Sequence, residues 1–307
     1  MSAAGTPAGT PAGREPFGER LARAVDVRGP LCVGIDPHPG LLDAWGLPDD
    51  PGGLEAFSQA VVEALGARVA VLKPQVAFFE RHGSRGVAVL ERVLGAAREA
   101  GALTIADAKR GDIGSTMAAY ADAFLGEGSP LAADAVTLSP YLGVGALRPA
   151  LDVAVATGRG VFVLALTSNP EGAAVQHARG ADGGSVAAGV LAAARAENAG
   201  RLETGGAGRW GPVGVVIGAT VGDVRDVVGD LRVGGPILAP GLGAQGAGPD
   251  DLARVFGPAL TDVLATTSRE VLGAGAGRSG AARAVALQDA AARTLDQVEA
   301  AVRPRGG

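Results

Sequence analysis

Eight short runs of apolar and β-branched residues, separated by stretches of helical periodicity, restrict this chain more than any other feature. The runs are LCVGID (31–36), VAVLKP (69–74), LTIADAK (103–109), AVTLS (135–139), GVFVLALT (160–167), VGVVIGAT (213–220), PILAPG (236–241) and DVLATTS (262–268). Their apolar residues are consecutive rather than alternating, which marks strands buried on both faces, as in a parallel sheet covered by helices. Helical spacing over 54–65, 87–100, 144–156, 186–199, 250–256 and 281–302 supplies that cover. Eight strand–helix units predict an α/β fold, a closed (β/α)8 TIM barrel, with an open doubly wound sheet as the alternative. The 307 residues exceed the roughly 250 that such a barrel uses.

No linker interrupts the series, so a single barrel domain is expected over 17–302. Residues 1–16 repeat Gly-Thr-Pro-Ala-Gly and read as a disordered tail, 303–307 as a short C-terminal tail, and 200–212 as a loop within the sixth unit. The net charge of −5 offers no basic field for nucleic acid. The single cysteine, Cys32, excludes an internal disulfide and any cysteine cluster, and its apolar strand makes it a buried hydrophobe. No segment approaches the 18 uninterrupted apolar residues of a membrane span, and the N-terminus has no apolar run of signal-peptide length; a cytoplasmic protein is expected. His38, His82 and His177 are isolated, with no spacing that makes a metal site, and the last two are expected at the surface. Trp45 and Trp210 fall in connecting regions and suggest nothing specific.

The polar residues that interrupt the strands all stand at one end of them: Asp36, Lys73, Asp107 with Lys109, Ser139, Thr167, Thr220, Gly241 and Arg269. In a barrel these C-terminal ends ring one mouth, where the active sites of the fold lie; polar residues of purely structural purpose would scatter over both ends. Asp107 and Lys109 are two apart, on one face of an extended strand, and Asp112 follows just after Gly111. Such charges are seldom buried unpaired. Spacing alone therefore leaves two readings open, an ion pair capping a strand or an array that stabilises charge in a transition state.

After the seventh strand, PGLGAQGAG (240–248) is a glycine-rich loop whose backbone N–H groups could close on an anion, although glycine is common throughout this chain. Ser268-Arg269 follows the eighth strand, and an arginine there can grip phosphate with two donors. Loops seven and eight are the usual phosphate site of this fold. Ser139 and Thr167-Ser168-Asn169 could equally cap the helices that follow, and Gln176 lies on a Gly- and Ala-rich stretch able to act as a lid.

The string ADAKRGDIGSTMAAYADA resembles the active-site signature of the orotidine 5′-phosphate decarboxylase family, Asp-x-Lys-x-x-Asp. The likeness continues, in order, through LCVGIDPH, VLKPQVAFFE, TLSPYLG, LTSNPEG, VVIGAT, LAPGLGAQG and TTSRE, from residue 31 to about 270. It is closest to the branch with a Thr-Ser-Asn-Pro segment after the fifth strand. The resemblance implies a cofactor-independent, metal-free conversion of orotidine 5′-phosphate to UMP and carbon dioxide in a homodimer. Lys109 would be the proton donor, Asp107 its orienting neighbour, and Asp112, with Thr116 one turn later, a contribution to the partner's site. Asp36 and Lys73 would hold ribose hydroxyls and Ser139 the pyrimidine, with Thr167 also at the substrate. Gly241, Gly243, Ala244, Gln245, Ser268 and Arg269 would surround the 5′-phosphate. Two rivals remain: a metal-dependent sugar-phosphate enzyme sharing the Asp-x-Lys-x-x-Asp pattern, and a non-catalytic barrel that senses a phosphorylated metabolite. The intact array argues against the second, because binding alone needs no such arrangement.

Overall fold

The structure is a computed structural model that describes residues 14–302 apart from 182, 203–208, 223, 244 and 245. The strands are β1 (Leu31–Ile35), β2 (Val71–Pro74), β3 (Leu103–Arg110), β4 (Ala135–Leu138), β5 (Gly160–Leu166), β6 (Val213–Ile217), β7 (Ile237–Pro240) and β8 (Val263–Thr267). All pair in parallel with their sequence neighbours, and β8 closes on β1 through Leu31↔Ala265 and Cys32↔Thr266, so the sheet is a closed barrel in the order β1 to β8. The open-sheet alternative is therefore discarded. Each expected strand forms, and the long helices Pro51–Leu65, Gly83–Glu99, Val186–Leu202 and Gly280–Val302 lie over the predicted segments.

Successive strand residues divide between two cores, as side chains on alternate faces must. Cys32, Ile105, Ala135, Phe162, Val216, Leu238 and Leu264 fill the barrel interior. Their neighbours Val33, Val136, Val161, Val215, Ile237 and Ala265 join the larger layer packed beneath the helices. Burial pushes the Cys32 thiol up to about 12, so it is an inert hydrophobe.

The sequence reading contained no helix at the start of the domain, but Phe17–Arg28 forms one and floors the barrel. Its buried residues Phe17, Leu21, Ala22 and Val25 share the interior cluster with Trp210, and Phe17 meets Phe162 edge-on at 6.0 Å. Arg20 fixes the helix by pairing with buried Asp134 and donating to the Gly158 carbonyl at 2.9 Å. Residues 14–16, assigned above to a tail, are drawn into this floor: Arg14 pairs with Glu127, and the Glu15 carbonyl accepts from Arg20. Both tryptophans are buried, Trp210 donating to Asp262 and Trp45 to the Leu272 carbonyl, each at 2.9 Å. His82 is not at the surface as expected. The reversal at Gly83 (φ 63°) tucks it beside Gly86, and its side chain is only 11% exposed.

The seat of the first helix makes a test. A Cβ on Gly18 would lie 1.7 Å from the Trp210 carbonyl oxygen, a backbone atom that cannot swing aside. Alanine gains about 1 kcal/mol in helix propensity, while forced overpacking costs about 1–3 kcal/mol. A 1.7 Å approach to backbone belongs at the top of that range, so Gly18→Ala should lose about 1–2 kcal/mol net in chemical denaturation. A stability equal to or above that of the parent would mean the helix does not sit on Trp210.

Candidate active site

The C-terminal ends of the strands surround a cavity of about 300 Å³, at the small end of the range that holds organic ligands. Asp107, on the inward face near the end of β3, is its electrostatic centre and is only 7% exposed. One carboxylate oxygen accepts from Lys109 Nζ at 2.6 Å and from Thr137 Oγ1 at 2.9 Å. The other accepts from Lys73 Nζ at 2.8 Å and from Gln75 Nε2 at 2.9 Å. Four donors on one carboxylate leave it little freedom to rotate. Burial by itself pushes the Asp107 carboxyl up, but the Lys73 and Lys109 ammoniums outweigh it and hold the group well below the usual carboxylate range. Burial likewise opposes the charge on Lys73, and Asp107 with Asp36 more than reverses that, holding the ammonium above the usual lysine range.

These directions fix the charge state at neutral pH. The stability Asp107 contributes is fully present above the unfolded carboxyl pKa of about 3.9 and is lost as pH falls through the lower folded value. That of Lys73 is fully present below the unfolded lysine pKa of about 10.4 and is lost as pH rises through the higher folded one. Between those limits the pair stays ionised.

Lys109 differs from Lys73 in exposure. Its side chain is 45% accessible, against 7% for Lys73, so the ammonium stands at the cavity surface. It also has φ 50°, the only non-glycine residue with positive φ among those described, a conformation that costs on the order of 1 kcal/mol or more. The β3–β4 register shifts between Ala106 and Arg110, so the strand bulges where the array lies. The Thr137 hydroxyl pins the bulge by accepting from Lys109 N at 3.0 Å, and Ser139 Oγ donates to the Lys109 carbonyl at 3.1 Å.

Around the array, Asp36, Lys73, Asp107, Lys109, Thr167, Gly241, Ser268 and Arg269 all line the cavity, as the sequence reading proposed. Asp36 Oδ1 is buried with no hydrogen-bond partner among the described residues, and so are the hydroxyls of Thr266 and Thr267 on the same wall. Buried polar atoms without a partner are uncommon, and three of them gather on this one wall. Arg269 is exposed at the rim, with no carboxylate within 4.0 Å among the described residues. Gly241 and Gly243 after β7 have φ 116° and 76°, and Gly243 N donates to the Ala247 carbonyl at 3.0 Å, closing a tight loop beside Arg269.

Asp112, Thr116, Ser139 and Gly243 are not part of the cavity lining, and Ala244 and Gln245 lie outside the described residues. Asp112 accepts from Ile113 N at 2.8 Å, in a stretch where Ile113 is 62% exposed. Gln176 clamps the end of β5, its Oε1 accepting from Thr167 N at 3.0 Å and its Nε2 donating to Thr167 Oγ1 at 2.7 Å. The sequence reading missed Gln75 and Thr137. Both were within reach of it: Gln75 is two residues beyond inward-facing Lys73, and Thr137 two beyond inward-facing Ala135.

The chain is similar to known proteins over most of its length. The orotidine 5′-phosphate decarboxylase from Streptomyces coelicolor is 62% identical over 258 residues, 84% of this chain and 90% of its own. That from Salinispora tropica is 60% identical over 288 residues, 94% of this chain and 99% of its own. Among solved structures, a Streptomyces avermitilis chain superimposes with a TM-score of 0.87 at 59% identity, covering 94% of this chain and 96% of that one. With the family profile matching residues 29–285, the chain belongs to the orotidine 5′-phosphate decarboxylase / HUMPS family.

Proposed function

We propose that the chain decarboxylates orotidine 5′-phosphate to UMP and carbon dioxide, a step of pyrimidine biosynthesis, with Lys109 as the proton donor. The single observation that carries this reading is a buried carboxylate held by four donors, one of them an accessible ammonium at the cavity surface. When the bond from C6 to the carboxylate breaks, its electron pair stays on C6 in the plane of the ring, with no neighbouring carbonyl to accept it. A cation placed beforehand stabilises that charge without reorganising at the moment of reaction. Lys109 Nζ then passes a proton to C6, and Asp107 keeps the ammonium aimed while remaining ionised. The buried acceptor of Asp36, with Lys73, suits ribose hydroxyls, and Thr167, on the cavity wall, is assigned to the base. Ser139 reaches the base only if its hydroxyl leaves the Lys109 carbonyl. We assign the phosphate end to Gly241, Ser268 and Arg269, which line the cavity, and to Gly243, Ala244 and Gln245 of the loop after β7 by family resemblance alone. Phosphate binding there helps align the distant reacting atom.

We further propose a homodimer with shared sites. Its support is that Asp112 and Thr116 are not among the residues lining their own cavity, while the large apolar side chains of Ile113, Tyr141 and Leu142 are exposed by 62%, 80% and 54%. Exposed apolar patches mark association surfaces.

Loss of orotidine 5′-phosphate absorbance, followed with a chelator present, tests the activity. Turnover that survives chelation removes the metal-dependent sugar-phosphate rival, and a folded protein without turnover overturns the proposal. For the phosphate end, Arg269→Ala should weaken the nucleotide by about 10- to 100-fold, the worth of a charge-assisted hydrogen bond. The unphosphorylated nucleoside should be nearly unaffected. Equal losses for the two substrates would take Arg269 off the phosphate.

A further inference from the structure

We propose that Arg110 is a positioning residue that holds Lys109 in its working conformation, an inference resting on the role given to Lys109 above. Arg110 is the residue after the left-handed Lys109 and the point where the β3–β4 register resumes, opposite Leu138. Its backbone carbonyl accepts from Ser139 N at 2.8 Å, tying the far side of the bulge to the end of β4. The side chain braces the bulge from outside. Nη1 donates back to the Ala108 carbonyl at 3.0 Å, spanning Lys109, while Nη2 pairs with Glu80 at the end of the helix Val76–Glu80. The guanidinium also lies over Tyr120 and Phe124, 5.6 and 5.8 Å from the ring centroids, on the helix Gly114–Leu125 that follows Asp112.

One planar group thus fastens the strand carrying Lys109 to the helices on either side of it. Its fork, rather than its charge, makes this possible, because an ammonium cannot serve the carbonyl, the carboxylate and two ring faces at once. Arg110 does not line the cavity, so any effect on chemistry must pass through Lys109. A surface ion pair with Glu80 and nothing more is the bland alternative; it would leave turnover untouched.

The two are separated by measuring kcat, KM, UMP affinity and Tm for Arg110→Ala, Arg110→Lys and Glu80→Gln. Arg110→Ala should lower kcat by about 10- to 100-fold, the effect of a displacement of about 1 Å at the reacting group. KM and UMP affinity should change by less than about threefold, because the ribose and phosphate ligands are elsewhere. Arg110→Lys should recover only part of kcat, and Glu80→Gln should lose less than Arg110→Ala because the bond to Ala108 remains. Should Arg110→Ala fail to fold, the other two variants carry the same readouts. A normal kcat in the folded variants, or kcat and UMP affinity falling together with Tm, overturns the proposal. Lys109→Ala is assayed alongside: if it retains turnover, the reading of Lys109 has failed, whatever Arg110 does.

Discussion

Lys109→Ala is expected to lower kcat/KM by at least about 10⁴-fold, because it removes proton donor and cationic stabiliser together, each worth a factor of about 10² or more. The fold should survive, and the structure gives the reason. Asp107 would keep Lys73 at 2.8 Å, Gln75 at 2.9 Å and Thr137 at 2.9 Å, so the buried charge is not left alone. The Lys109 side chain is half exposed, so little packing is lost, and alanine bears the same left-handed backbone cost as lysine. Lys73→Ala is a contrasting case: it strips the buried partner from a buried carboxylate, a change that typically costs about 3–5 kcal/mol. Turnover assays with circular dichroism on the same preparations decide the matter. A folded Lys109→Ala protein with near-normal turnover would remove Lys109 from the mechanism.

The barrel was legible because parallel strands buried on both faces leave unbroken apolar runs, and all eight runs became strands. The floor helix was not. Its apolar residues Phe17, Leu21, Ala22 and Val25 lie among Arg, Glu and Asp, and only closure of the barrel beneath Phe162 gives them something to cover. Within the site, the placement of Asp36, Lys73, Asp107, Lys109, Ser268 and Arg269 at the mouth followed from strand ends alone. The detail at Lys109 could not follow. Period-two spacing puts it beside Asp107 in a regular strand, whereas the strand actually bulges and turns left-handed there. Thr137 and Ser139, outside the motif, are hydrogen-bonded to its backbone, and Arg110, at a position the motif leaves unspecified, donates to the Ala108 carbonyl. Ser139 shows the opposite failure. Parity with Ala135 and Thr137 points it inward, but its hydroxyl is spent on the Lys109 carbonyl.

A shared site makes the strongest demand on the protein. If Asp112 serves the neighbouring subunit, Lys109→Ala and Asp112→Ala homodimers should each be strongly impaired, since every mouth carries one lesion. Subunit exchange between equal amounts changes this. Half the dimers become mixed, and in each of these one site collects both lesions while the other receives intact Lys109 from one chain and intact Asp112 from the other. Activity should then recover to roughly a quarter of the parent level under random exchange between symmetric subunits. Two observations favour this outcome: Asp112 does not line its own cavity, and the apolar side chains of Ile113, Tyr141 and Leu142 stand exposed where a second copy would cover them. Were Lys109 and Asp112 to work in the same mouth of one chain, every site in every dimer would keep a lesion and mixing would restore nothing. Exchange is monitored independently with a tagged chain, so a mixture that swaps subunits and stays inactive rules the shared site out.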